Sequence, residues 1–159
     1  MKKLALVVAV LALVLSFGLV ACTKSETVTG EYKYDVSYGG TPITYGCKVD
    51  VTVANGKITK VKLYEDKETG WTQITSSWKE NSPMEGALGH DKCLAATPDY
   101  LKKFEGKSVE DVKKVAVSIK GQNEATENKI ADEAFAFAGA TQSGARIILA
   151  VQNALSKLK

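Results

Sequence analysis

The chain has 159 residues, of which 45% are hydrophobic and 25% are charged, and its formal net charge is +3. This length fits a single globular domain, and the ordinary composition excludes a collagen-like fibre or a wholly disordered chain. Domains that bind nucleic acids usually carry clustered basic residues and a pI above about 9. The small net charge therefore gives no reason to expect a nucleic-acid partner.

The first residues have the pattern of a secretory signal peptide. Lys2 and Lys3 form a positively charged start, and an apolar run over 4–20 follows them. The run ends in Leu-Val-Ala-Cys at Cys22, which resembles the lipobox of bacterial lipoproteins. That resemblance implies that Cys22 carries acyl chains such as palmitate and becomes the first mature residue. The alternative is an uncleaved transmembrane helix, although spanning a bilayer takes about 17–25 residues and the run is barely long enough.

These features predict a signal peptide over 1–21, a lipid-anchored tether over 22–29 and one domain over 30–159. The protein is then expected in the bacterial cell envelope, attached to a membrane by lipid on its extracytoplasmic side. Export also places the domain in an oxidising compartment. Cys47 and Cys93 are therefore either a disulfide or two separate buried thiols, because the sequence does not give the distance between them.

The first half of the mature chain has the period-two pattern of antiparallel strands. Apolar or aromatic residues alternate with polar ones over 32–38 and again over 47–53. The Asn-Gly pair at 55–56 predicts a type I′ hairpin turn, because both turn positions need positive φ. In the next predicted strand, 57–64, the alternation changes phase after Ile58, which predicts a β-bulge or a change of face.

The second half predicts helices around a short strand. Thr97 can cap a helix that has Pro98 at its first position, and Gly106 would end it. Ser108 resembles the first residue of a capping box before a second, short helix. The alternation of apolar residues over 115–119 then predicts a strand.

The clearest predicted element is a C-terminal amphipathic helix. Ile148, Val151, Leu155 and Leu158 recur at helical spacing and form one apolar stripe. With strands first and helices later, the order of elements predicts an α+β fold. We expect an antiparallel sheet with an N-terminal hairpin, packed by helices.

A segment of small residues, Ala-Gly-Ala-Thr-Gln-Ser-Gly over 138–144, lies immediately before that helix. Small side chains let backbone N–H groups approach a ligand, and a helix N-terminus attracts phosphate through its unpaired N–H groups and dipole. The hydroxyls of Thr141 and Ser143 would lie at the same place. The alternative is that Thr141 or Ser143 simply caps the helix and the glycines only allow packing.

The segment resembles the Ser-Gly-Ala-Thr-x-Thr-Ser signature of the FMN-binding domain family. That family includes the flavin-carrying subunits of sodium-pumping NADH:quinone reductase and of Rnf-type electron-transport complexes, and many small bacterial lipoproteins. The resemblance extends to the predicted hairpin over 45–61, to Glu-Thr-Gly at 68–70, to Gly-Lys-Ser at 106–108 and to the helix over 150–155. It therefore covers almost the whole mature domain.

The resemblance implies that a flavin transferase joins flavin mononucleotide (FMN) to Thr141 by a phosphoester bond. Two departures from the family pattern matter, because Phe135 stands where an Asp is usual and Ala138 replaces the signature Ser, whereas Ser143 in place of the second Thr is a mild change. Trp71 directly follows the Glu-Thr-Gly match and can stack on a flavin ring, or it can be a core residue. The expected cofactor-binding residues are Gly139, Ala140, Thr141, Ser143, Glu68, Thr69, Gly70 and Trp71.

Together these patterns predict a lipid-anchored electron carrier that exchanges electrons with a membrane redox partner. No residue stands out as an acid–base catalyst, which favours a carrier over an enzyme with its own substrate. The alternative is a non-redox lipoprotein on the same fold, which binds a phosphate-bearing ligand or a partner protein. His90 and Cys93 have the spacing of half a metal site, but a structural zinc site needs four ligands, so no metal is expected.

Overall fold

The computed structural model describes residues 24–38, 41–64, 90–119 and 129–159. Within these ranges the chain forms two antiparallel sheets, one of three strands in the order β1-β2-β3 and one formed by β4 and β5. The elements are β1 (Ser25–Tyr38), β2 (Thr41–Ala54), β3 (Lys57–Leu63), α1 (His90–Lys102), α2 (Val109–Lys114), β4 (Val117–Ser118), β5 (Lys129–Ile130), a 3-10 helix (Glu133–Phe135) and α3 (Thr141–Leu155). The fold is α+β, as predicted.

The β2–β3 hairpin confirms both predictions made for it. Asn55 and Gly56 form its turn with φ values of 52° and 71°, the left-handed region that a type I′ turn requires. The ladder then shifts register, because Thr52 pairs with Lys60 whereas Val53 pairs with Ile58. The extra residue is a β-bulge, and it returns the apolar side chains of β3 to the buried face despite their change of phase.

The first strand begins earlier than the sequence predicts. Ser25–Thr29, expected in the tether, pair with β2 in the same register as the rest of β1. Their polar side chains find partners across the strands: the hydroxyls of Thr27 and Thr52 lie 2.9 Å apart, and Thr29 donates to Asp50 at 2.6 Å. The polar residues that suggest a linker in the sequence therefore form the polar face of a strand, where β-branched Thr is favoured.

The prediction that a helix begins at Thr97 is wrong, because α1 begins at His90 and contains Pro98 in its interior. Pro98 has no N–H to offer to the preceding turn. The Thr97 hydroxyl donates to the carbonyl of Cys93 at 2.8 Å and ties the same turn together from the side. Cys93 is buried, so packing of the first turns holds the helix across a proline that local propensity treats as a boundary.

The short helix α2 confirms its predicted cap. Ser108 is the N-cap, and its hydroxyl accepts a hydrogen bond from the N–H of Asp111 at 3.0 Å. The strand predicted over 115–119 is reduced to Val117–Ser118, since the N–H of Val115 closes the end of α2 by donating to Val112. Gln152 of α3 donates to the carbonyls of Val112 and Val115 and fixes this corner to the last helix.

Helix α3 lies across β1 and β2, and one buried core joins it to the sheet and to α1 and α2. Gly30 of β1 touches the helix directly: a Cβ added there would overlap the carbonyl oxygen of Ala150 and the nitrogen of Ala154. The strand therefore packs against the helix backbone itself, which only glycine permits at this point.

Among the residues that the structure describes, no helix is both long enough and apolar enough to cross a bilayer.

Candidate functional site

The N-terminus of α3 has no side-chain cap among the residues that the structure describes. Its N-cap residue is Ala140, which has no polar side chain, and the N–H of Gly144 makes the first hydrogen bond of the helix, to the carbonyl of Ala140. The chain reaches this point through Gly139, whose φ of 72° is left-handed. Because Thr141 and Ser143 lie inside the helix rather than before it, the alternative that one of them caps it is wrong. The three N–H groups before Gly144 face outward from the first turn.

The polar side chains of this first turn point to different surroundings. Thr141 is exposed, so its hydroxyl is accessible to a ligand or a modifying enzyme. Ser143 is buried and forms a hydrogen bond with Cys93, which links the turn to α1. Between them, Gln142 has a buried Nε2 that makes no hydrogen bond. A buried amide donor without an acceptor is costly, so a bound acceptor at this turn would stabilise it.

An aromatic cluster holds the turn in place from below. The ring of Tyr100 stacks on Phe137 with centroids 4.3 Å apart, and its hydroxyl lies 2.9 Å from the Phe135 carbonyl and 3.3 Å from that of Gly144. Burial raises the pKa of Tyr100 well above its ordinary value, so the phenol remains a hydrogen-bond donor. The segment that leads into the helix is therefore anchored to α1 at both of its ends.

Phe135, the residue in place of the family Asp, is part of this core. It is 1% exposed, and its ring lies 5.2 Å from that of Phe104. An ionised carboxylate in such surroundings would lose its hydration, and what the structure has there is an apolar ring whose centroid lies 5.8 Å from the Lys107 ammonium. Ala138, which replaces the signature Ser, is exposed just before Gly139. The two departures therefore differ: one belongs to the core and the other lies at the surface of the turn.

Sequence reasoning missed Arg146, a buried cation one turn after Gln142. Its residue exposure is 4%, and its charge acts on the thiol of Cys47 on β2. Burial raises the pKa of Cys47 to about 12, and the guanidinium opposes that rise. A signal was present, because Arg146 interrupts an otherwise apolar run in the helix, and charged residues are almost never fully buried unless they are paired.

Several predicted residues cannot be placed relative to this turn. Glu68, Thr69, Gly70, Trp71 and Cys22 all lie outside the described residues. The described part brings together Gly139, Ala140, Thr141 and Ser143, and it adds Gln142 as a further polar group. A role in cofactor binding remains a prediction for each of them.

Of the two states left open for the cysteines, the structure has free thiols: Cys47 and Cys93 are both buried and unbridged. Burial also raises the pKa of Cys93, with the hydrogen bond from Ser143 opposing it. Both thiols therefore stay protonated near neutral pH and are poor nucleophiles. Within the described ranges no group of three or more His, Cys, Asp or Glu side chains could hold a metal ion.

Comparison with protein families matches residues 45–156 to the family model described as an FMN-binding domain. The match covers well over half of the chain and includes the whole of α3. Comparison with curated proteins found no match, and neither did comparison with solved structures.

Proposed function

The chain belongs to the family of FMN-binding domains, its cofactor is FMN, and on this premise we propose that it is a lipid-anchored extracytoplasmic electron carrier with FMN at Thr141. One observation carries the choice of site. The exposed hydroxyl of Thr141 lies on the first turn of a long helix that no side chain caps, beside the buried and unsatisfied Nε2 of Gln142.

The phosphate of FMN suits this turn on physical grounds. The backbone N–H groups of Thr141, Gln142 and Ser143 precede the first hydrogen bond of α3, so they have no acceptor within the helix itself. The helix dipole adds a partial positive charge of about half an elementary charge at the same point. A phosphate would accept from these N–H groups and from the Gln142 amide, which leaves no donor of the turn unsatisfied.

Covalent attachment requires an accessible hydroxyl, and Thr141 provides one. A phosphate monoester has no good leaving group, so the donor must be an FMN phosphoanhydride, which a flavin transferase would use. The Thr141 oxygen would form a bond to the FMN phosphorus as the anhydride P–O bond breaks, and the hydroxyl proton would leave with the released phosphate-bearing group. The product is a phosphodiester, which keeps one negative charge at the helix N-terminus.

The protein's own groups around the turn favour a carrier over an enzyme. The thiols of Cys47 and Cys93 and the phenol of Tyr100 are buried, and their raised pKa values keep them protonated. FMN supplies the redox chemistry when bound, and the protein supplies binding and a fixed environment. The predicted signal peptide and the lipobox-like Cys22 support attachment to a membrane, where a redox partner would meet the protein.

The mass of the mature protein, co-expressed with a flavin transferase, tests the proposal. We expect the mass of one FMN on the native protein and on the Thr141→Ser variant, and its absence from Thr141→Ala. Because Thr141 is exposed, neither change should alter the free energy of unfolding by more than about 0.5 kcal/mol. An FMN adduct that persists on Thr141→Ala would contradict the assignment of the acceptor.

The second candidate is a non-redox lipoprotein that binds another phosphate-bearing ligand or a partner protein at the same turn. The buried Phe135 favours it, because the acidic residue usual in members with covalent FMN is replaced by a core side chain. The visible spectrum of the purified protein after incubation with FMN discriminates between the two. A flavin band that survives desalting supports the carrier, and its absence supports the alternative.

A further inference from the structure

The described contacts fix the direction of β1 relative to α3. Near the C-terminal end of the helix, Lys157 donates to the carbonyl of Thr29 at 2.6 Å and Asn153 accepts from the N–H of Glu31 at 3.1 Å. Further along the sheet, Cys47 of β2 pairs with Tyr32, and the positive charge of Arg146 acts on the Cys47 thiol. Later residues of β1 are thus level with earlier residues of α3, so the two elements run antiparallel.

Ser25 and Thr141 consequently lie at opposite ends of the domain. Gly30 touches the helix at Ala150 and Ala154. From that contact, Thr141 lies ~14–20 Å away along the helix, and Ser25 lies ~16 Å away along the strand in the other direction. The separation between the two ends is therefore about 30 Å.

Each end is built from more than one element. Ser25 pairs with Ala54 beside the Asn55–Gly56 turn, and the carbonyl of Gly56 accepts from the N–H of Val109 at the start of α2. We call this the hairpin end. The first turn of α3 and the part of α1 around Cys93 form the other end, which we call the flavin end.

The spacing between the proposed anchor and the sheet is very short. Only Thr23 and Lys24 separate Cys22 from Ser25, the first residue of β1. Even a fully extended chain spans at most about 3.6 Å per residue, which keeps Ser25 within about 11 Å of an acylated Cys22. A lipid at Cys22 would hold the hairpin end against the membrane surface.

We infer that the domain stands on its hairpin end, with the flavin end held away from the bilayer and facing the aqueous phase. This inference rests on the proposed lipid anchor at Cys22 and on FMN at Thr141. A partner that exchanges electrons with this FMN then approaches from water, as a soluble molecule or as a protein that extends above the membrane. A carrier dissolved in the lipid does not reach it.

The polar face of the sheet gives no competing reason for the domain to lie flat. Along this face Lys48 pairs with Glu31 and Lys62 pairs with Asp50, and Lys33 lies 3.6 Å from Glu31. Lys60 pairs with the neutral Thr52, so acidic and basic residues are interspersed and not every lysine has an acidic partner in the ladder. A face of mixed charge has little net attraction to anionic lipids, which bind clusters of basic residues. Attachment at Cys22 therefore decides the orientation.

Energy transfer to the membrane surface measures the orientation. One donor dye is attached to Asn55→Cys or to Ala138→Cys, both exposed positions, while Cys47 and Cys93 stay buried and unlabelled. The lipidated protein is bound to phosphatidylcholine–phosphatidylglycerol vesicles that contain a rhodamine-labelled lipid. We expect the dye at Asn55 to be quenched several-fold more than the dye at Ala138, and FMN emission to be quenched as weakly as the latter.

A spacer variant, together with vesicle flotation and the flavin absorbance of the same sample, distinguishes failure of the proposed function from failure of this inference. A flexible spacer inserted after Lys24 should weaken the quenching at Asn55 and leave the dye at Ala138 weakly quenched. Protein that does not float with the vesicles, or that has no flavin band, overturns the proposed function and this inference with it. Floated, flavin-loaded protein in which both dyes are quenched equally overturns the inference alone.

The partner is tested on the same vesicles after chemical reduction of the FMN. Reduced FMN gives up two electrons and two protons; two ferricyanide ions in water take one electron each, and the protons enter the buffer. An isoprenoid quinone confined to the bilayer would take both electrons and both protons instead. We expect rapid reoxidation by ferricyanide and little by the quinone, and rapid reoxidation by the quinone would contradict an outward-facing flavin.

Discussion

The side chain of Gln142 has two properties that the start of a helix does not itself require. Its Nε2 is buried, and no described residue accepts a hydrogen bond from it. The residue is half-buried, and its neighbour Thr141 in the same turn is exposed. An unsatisfied buried donor costs about 1–3 kcal/mol. A phosphate that accepted this hydrogen bond would remove the cost. Substitution of Gln142 therefore tests whether a phosphate binds at this turn.

Replacing this amide should therefore change stability and affinity in opposite directions. In Gln142→Met the free protein gains about 1 kcal/mol, because the unsatisfied donor is removed. Its affinity for FMN falls about tenfold or more, since a hydrogen bond to a charged group contributes roughly 1.5–3 kcal/mol. Urea unfolding and FMN titration measure the two effects, both in the Thr141→Ala background so that binding stays non-covalent.

Gln142→Glu is the matched control, because it has the same size and places a negative charge on the first turn. The carboxylate repels the phosphate of FMN, so the FMN affinity should fall at least as far as in Gln142→Met, whereas burial of the charge removes the gain in the free energy of unfolding that Met gives. Unchanged FMN affinity in both variants would show that the amide does not face the phosphate.

At the scale of elements, the contact between β1 and α3 depends on the absence of one side chain. A Cβ at Gly30 would overlap backbone atoms of Ala150 and Ala154 and would lie 2.7 Å from the Ala154 Cβ. Neither the strand nor the helix can move away cheaply, because β1 is paired with β2 along its whole length and α3 is buried against both strands.

Gly30→Ala should therefore lower the free energy of unfolding by about 1–3 kcal/mol or more, the usual cost of overpacking a core. Thermal or urea unfolding measures the change. Lys33→Ala is the control in the same strand, since Lys33 is exposed and its ion pair with Glu31, at 3.6 Å, contributes little. A loss in Gly30→Ala no larger than in Lys33→Ala would mean that the strand and helix are not in close contact.

Sequence periodicity predicted the elements whose signals are local. The Asn-Gly turn at 55–56, the bulge after Ile58 and the Ser108 cap each depend on residues within a few positions of one another, and all three are confirmed. The start of α1 was missed because burial of Cys93 against α3, a contact between distant segments, outweighs the break that Pro98 predicts.

The site shows the same division between local and distant information. The place of Thr141 and Gly139 at the start of α3 could be predicted because a helix N-terminus after small residues is a local pattern, and their role in cofactor binding stays a prediction. The burial of Gln142 depends on contacts with other elements, so a single sequence does not reveal it, whereas Arg146 has a local signal in the apolar run that it interrupts. The anchoring of this turn by Tyr100 depends equally on contacts between distant parts of the chain.

At the scale of the whole molecule, the core encloses ionisable groups whose neutral forms it favours. Burial raises the pKa of Cys47 from 9.0 to about 12 and raises the pKa values of Cys93 and Tyr100 as well. Below pH 9 the folded and unfolded thiols are both protonated, so the free energy of unfolding does not depend on them. Above pH 9 the unfolded chain releases protons that the native core retains, and stability falls as the pH rises.

We therefore expect the free energy of unfolding to decline steeply above about pH 9, with Cys47 alone contributing a slope of up to about 1.4 kcal/mol per pH unit until the pH approaches 12. Urea unfolding under reducing conditions, at several values from about pH 7 to about pH 10.5, measures the slope. Cys47→Ala is less stable at neutral pH because it leaves a small cavity, but its slope should be shallower because one titrating group has been removed. Exposed lysines are the same in both proteins, so their contribution cancels in the comparison. Equal slopes for the native protein and Cys47→Ala would show that the thiol of Cys47 is not held protonated by the core.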